Sequence, residues 1–100
     1  MLKITVIETP EEQKLVLEGK LMAADLSELK SAWEDARRAR GTRKFVVDLR
    51  STTFIDSNGE RILLEMKREG VHFLACGVST THQLKRLGIR CNGSSSSKCR

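Results

Sequence analysis

Four consecutive residues, Asp56-Ser57-Asn58-Gly59, bring a carboxylate, a hydroxyl, an amide and a bare backbone together immediately before a helical pattern. Ser57 followed by Glu60 has the S-x-x-E spacing of a capping box, in which the serine oxygen accepts the N3 amide and the glutamate returns to the N-cap amide. Ile62, Leu63 and Met66, joined by Leu64, form one apolar stripe. Glu60, Arg61, Glu65, Lys67, Arg68 and Glu69 solvate the other side, and Gly70 is placed to end the helix. The turn therefore sits at a helix N-terminus, where free amides and the positive end of the dipole favour a carboxylate, a phosphate or an acidic partner. The plainer reading is that Asp56 and Ser57 only cap the helix.

Catalysis asks for more than a serine. A nucleophilic hydroxyl needs a base within hydrogen-bond reach, and the coarse topology brings neither His72 nor His82 to Ser57. There is no phosphate loop of the G-x-x-x-x-G-K type and no paired-carboxylate constellation, so the chain reads as no enzyme and as needing no cofactor. Cys76 falls in an apolar run and reads as a small buried thiol; Cys91 and Cys99 lie in a polar end. An odd count without Cys-x-x-Cys spacing points to neither a disulfide framework nor a zinc site, and the histidines do not supply one.

Phe45, Val46, Val47 and Leu49 form a short β-branched run ahead of the turn, the pattern of a strand covered on both faces. The chain then crosses Arg50 to Thr53 and returns to apolar Phe54-Ile55. Read through to the helix, V-V-D-L-R-S-T-T-F-I-D-S-N-G-E-R-I-L-L, Val46 to Leu64, resembles the central signature of STAS domains, the fold shared by bacterial anti-sigma factor antagonists and the cytoplasmic tails of sulfate transporters. The likeness covers about residues 4–89, and its specific part is the D-S-x-G turn.

The other elements follow from pattern. Leu2 to Ile7 and Lys14 to Leu21 alternate around a polar Thr9-Pro10 segment and predict an antiparallel hairpin. Asp25 with Glu28 marks a helix start; Leu26, Leu29, Trp33 and Ala36 recur at helical spacing, and Gly41 closes the helix. Trp33 is core. Val71 to Cys76 predicts a strand parallel to the central one, through a right-handed crossover. Ser79, Thr80 or Thr81 can cap a third helix that Gly88 stops. The expected fold is α/β: a STAS-like mixed four-stranded sheet with helices mainly on one face, and Lys14–Glu18 antiparallel to the first strand and parallel to Phe45–Leu49. Residues 1–91 form the domain and 92–100 a Ser-rich disordered tail, so the family pattern is shortened at its C-terminus. That shortening uncovers apolar surface, and a homodimer by strand exchange or edge pairing is expected.

Charge narrows the partners. The formal net charge of +5 is local: residues 1–69 are balanced, whereas residues 70–100 hold Lys85, Arg86, Arg90, Lys98 and Arg100 and no acid. Only Trp33, Phe45, Phe54 and Phe73 are aromatic, so the stacking platforms of nucleic-acid binding are missing. The cluster Arg37 to Lys44 reads as a solvated helix end. No apolar run of about 18 residues exists, and the N-terminus carries no signal pattern, so a cytoplasmic protein without membrane insertion is expected.

The resemblance implies a regulatory domain that docks a protein partner, an anti-sigma factor of the kinase type, through Asp56, Ser57, Asn58, Gly59 and the flanking Thr53 and Arg61. In that family the motif is D-S-[S/T]-G, and the third-position hydroxyl is phosphorylated by the partner, adding close to two negative charges that switch docking off. Asn58 stands there and has no hydroxyl, so docking is expected to be constitutive, or the kinase pathway to have been left. Ser57 is a substitute acceptor, although as N-cap its oxygen would be engaged. The alternative is a small-ligand or nucleotide-sensing subunit of a transport or signalling complex, with a phosphate at the helix N-terminus.

Overall fold

The N-terminal alternation forms the expected hairpin. β1 (Lys3–Glu8) runs antiparallel to β2 (Glu12–Leu21) in the computed structural model, which describes residues 2–89 and 91–92. Val6 stands opposite Leu15 and Ile4 opposite Leu17. Thr9 fixes the connection: its hydroxyl donates to the Glu12 carbonyl at 3.2 Å and accepts the Glu12 N–H at 3.0 Å. A 3₁₀ turn (Ala23–Asp25) leads into α1 (Leu26–Arg40), and Gly41, at φ 65°, releases the chain from it. Next come β3 (Lys44–Ile55), α2 (Ser57–Arg68), β4 (His72–Leu74), α3 (Val78–Arg86) and a two-residue β5 (Cys91–Asn92).

Across the sheet the order is β1-β2-β3-β4-β5, antiparallel for the first pair and parallel for the others. The expected four-stranded mixed sheet is there, with each expected pairing, and β5 extends it by two residues. Asn92, read as the start of the tail, lies in β5; residues 93–100 are outside the described residues. Leu15, Leu17, Phe45, Val47 and Leu49 point from the sheet toward Leu29 and Trp33 of α1 and Leu63 and Met66 of α2, and all are buried. Each such side chain withdrawn from water contributes about 1.5–3 kcal/mol before the entropy of ordering is counted. Trp33 is core as expected, with the Arg37 guanidinium 5.2 Å from its ring centre.

Four local expectations are corrected. β3 does not break at Arg50 but continues to Ile55, because it takes up the polar stretch as bulges against β2: Val16 and Glu18 pair with Asp48 and Ser51, and the neighbours Gly19 and Lys20 pair with Thr52 and Phe54, so the extra residues lie on β3, with Gly19 of β2 at φ 106°. The Thr52 hydroxyl, buried in this stretch, donates to the Leu17 carbonyl at 2.8 Å. The α2 cap is Asp56, not Ser57. The α3 cap is Gly77, at φ 90°; Thr80 lies inside the helix, buried, and donates to the Thr52 carbonyl at 3.5 Å. Cys76 follows β4 instead of lying in it, is half-buried, and is disulfide-bonded instead of a free thiol.

Alternation along β3 turns Asp48 away from the core side chains, yet it is buried. Arg50, two residues on and on the same side, grips it bidentately: Nε donates to Oδ1 at 3.0 Å and Nη2 to Oδ2 at 2.7 Å, while the Arg50 backbone N–H also donates to Oδ1 at 2.9 Å. Burial pushes the Asp48 carboxyl up; the Arg50 hydrogen bonds and charge, helped by Lys14, outweigh it and hold the group below its ordinary value.

Candidate functional site

The Asp56–Gly59 turn is held from both sides. Asp56 Oδ1 accepts the Gly59 N–H at 2.8 Å, which caps α2, and Oδ2 accepts the Ala23 N–H at 3.0 Å, which ties the turn to the chain leaving β2. The Asp56 N–H donates to the Leu21 carbonyl at 3.0 Å, and its own carbonyl accepts the Glu60 N–H at 2.9 Å. One residue thus joins the end of β2, the end of β3 and the start of α2.

Gly59 explains the closeness. A Cβ there would lie 2.9 Å from Leu21 Cγ, 2.9 Å from the Leu21 carbonyl oxygen and 3.0 Å from Ile55 Cγ2. Its φ is not among the positive ones, so contact and not backbone conformation demands glycine.

The structure brings the six sequence-derived site residues into one region, although they differ in role. Asp56 and Gly59 build the turn. Ser57 is the first helical residue and exposed, and its hydroxyl makes no hydrogen bond among the described residues; the reason for regarding it as engaged is gone. Asn58 is half-buried and Arg61, one turn further, is exposed. Thr53, exposed on β3, donates from its hydroxyl to the Gly19 carbonyl at 3.3 Å.

Two features escaped the sequence. Gln83 of α3 donates from Nε2 to the Ile55 carbonyl at 2.9 Å and to Glu60 Oε2 at 2.6 Å, so α3 clamps the start of α2 to the end of β3. Arg86 adds a 3.9 Å ion pair with Glu60. Glu60 therefore serves α3 and not a capping box. The second feature is a cleft of about 230 Å³ between the first turns of α1 and α2, lined by Leu26, Ser27 and Lys30 on one side and Asn58, Arg61 and Ile62 on the other. Neither Lys30 nor Arg61 forms an ion pair among the described residues.

No helix of the described residues is long and apolar enough to cross a membrane. No family model matches the chain, and no curated protein does. Among solved structures the chain is similar to the anti-sigma factor antagonist SpoIIAA in its unphosphorylated form, with a TM-score of 0.65 and 16% identity over 98% of this chain and 93% of that one. At that identity the likeness speaks for the backbone, and the element order, the mixed sheet and the helices on one face agree with it. The chain has the STAS fold, as that antagonist has.

Proposed function

We propose that this protein is a non-catalytic regulatory domain that docks a protein partner, an anti-sigma factor of the kinase type, through the Asp56–Gly59 turn and the exposed side of α2. The observation that carries the reading is the division of labour at the turn. Asp56 and Gly59 are fully engaged in fixing it, while Ser57 and Arg61 stand free on its outer side. A surface already fixed in the free protein loses little freedom on binding, which favours affinity. Ser57 has no hydrogen-bonded base among the described residues, so the exposed hydroxyl is not arranged as a nucleophile.

Asn58 occupies the position of the family's phosphorylated hydroxyl, and an amide cannot accept a phosphoryl group or imitate its charge. Docking is therefore constitutive at that position. The test is binding to an anti-sigma factor kinase with and without ATP. A complex insensitive to ATP, made releasable by Asn58→Ser, supports the reading; release from the unaltered protein with phosphate mapped to Ser57 contradicts it. Self-association through the outer edge of β1 belongs to the same proposal. Val6 and Ile7 on that strand are 46% and 43% exposed, and its outer backbone groups have no neighbouring strand among the described residues.

A further inference from the structure

We infer that the cleft between α1 and α2 receives an acidic side chain of the docked partner, with Lys30 and Arg61 as its counter-charges, an inference that rests on the docking reading above. Unpaired cations, polar side chains and apolar walls meet in this cleft. Leu26 and Ile62 line it with aliphatic surface, Ser27 offers a hydroxyl and Asn58 an amide, and Lys30 and Arg61 stand one on each helix.

Glu65 also lines the cleft, one turn beyond Arg61, at the spacing that usually pairs such residues on a helix. The two do not pair within 4.0 Å, so the guanidinium remains available. Several arginines of the described fold are matched, Arg37 with Glu69, Arg38 with Asp35, Arg50 with Asp48 and Arg86 with Glu60, whereas Lys30 and Arg61 are two unpaired cations that line one cleft. The two cleft cations thus face solvent without an ion-pair partner among the described residues and outnumber the one carboxylate, Glu65, that lines the cleft with them, and a carboxylate on a short aliphatic stem complements both the walls and the remaining charge.

Size selects the occupant. A volume of about 230 Å³ lies below the roughly 300–1,000 Å³ of pockets that enclose whole small molecules. It suits one side chain delivered by a larger surface. Asn58 and Arg61 belong both to the cleft and to the docking turn, so a partner seated on the turn presents its side chains there.

The probe is a capped five-residue peptide with a central glutamate, titrated into the full chain and followed by amide shifts, beside its glutamine counterpart, inorganic phosphate and ATP. Shifts centred on Ser27, Lys30, Asn58 and Arg61, produced by the glutamate peptide and not by the glutamine one, are expected. Lys30→Gln with Arg61→Gln weakens them about tenfold, the combined effect of two exposed charge pairs. Both residues are on the surface, and far-UV circular dichroism checks that the double variant is folded. No shifts, shifts elsewhere, equal response to the glutamine peptide, or stronger response of the same residues to phosphate or ATP would each overturn the inference. The kinase-binding assay decides the docking reading separately, because the peptide titration does not use that partner.

Discussion

Replacing Gly59 by alanine tests why the turn is built as it is. The added methyl would sit 2.9–3.0 Å from three heavy atoms, two on side chains that are 0% and 4% exposed and one a backbone carbonyl. That carbonyl already accepts the Asp56 N–H at 3.0 Å, so it cannot retreat without loosening Asp56 as well. Overpacking of this kind costs about 1–3 kcal/mol. Alanine gains up to ~1 kcal/mol over glycine in a helix, less in its first turn. The steric term wins, and a net loss of about 1–2 kcal/mol is expected, lowering Tm by roughly 5–15 °C for a domain of this size. Urea unfolding followed by far-UV circular dichroism and by the fluorescence of buried Trp33 measures it, with Ser57→Ala, an exposed substitution expected within about 0.5 kcal/mol, as the control. A Gly59→Ala protein as stable as the wild type would refute the close-approach explanation.

Asp56→Ala removes the α2 cap and the link to Ala23 together, and should lower stability by about 1–2 kcal/mol in the same urea assay. The Asp48–Arg50 pair makes stability acid-sensitive. Because the folded-state pKa of Asp48 lies below its ordinary 3.8, its contribution is complete above that value and is lost as pH falls through the folded-state one. Arg50→Gln leaves the buried carboxylate without its guanidinium and should cost about 1–3 kcal/mol near neutrality. Unfolding midpoints of the two proteins should draw together as pH falls below the ordinary carboxylate range and Asp48 becomes protonated in both; a gap that does not narrow on acidification contradicts the account. Light scattering should show a dimer that Val6→Lys converts to monomer, since a charge on the strand edge blocks pairing.

The sheet and its helices were legible because period and punctuation agreed along the chain. Alternating Leu15 and Leu17, the apolar run at Phe45–Leu49 and the glycines at 41, 70 and 88 each act through local geometry, which one sequence displays. What stayed hidden was tertiary. Asp56 outcompeted Ser57 as cap because β2 ends beside it and offers the Ala23 N–H as a second donor, a contact between residues 33 positions apart. Gln83 looked like any polar helix residue until α3 was laid across the end of β3. The Cys76 disulfide depends on which Cβ atoms the fold brings together, and cysteine spacing says nothing of that. The cleft needed both helices in place, since Lys30 and Arg61 are far apart in the chain.

The most direct test of docking through the turn is hydrogen exchange of this protein, free and bound to an anti-sigma factor kinase. Slowed exchange or altered amide signals at Thr53, Ser57, Asn58 and Arg61, with β1 unchanged, is the result the account predicts. Protection confined to the β1 edge or to β4, with the turn as exposed as in the free protein, would contradict it.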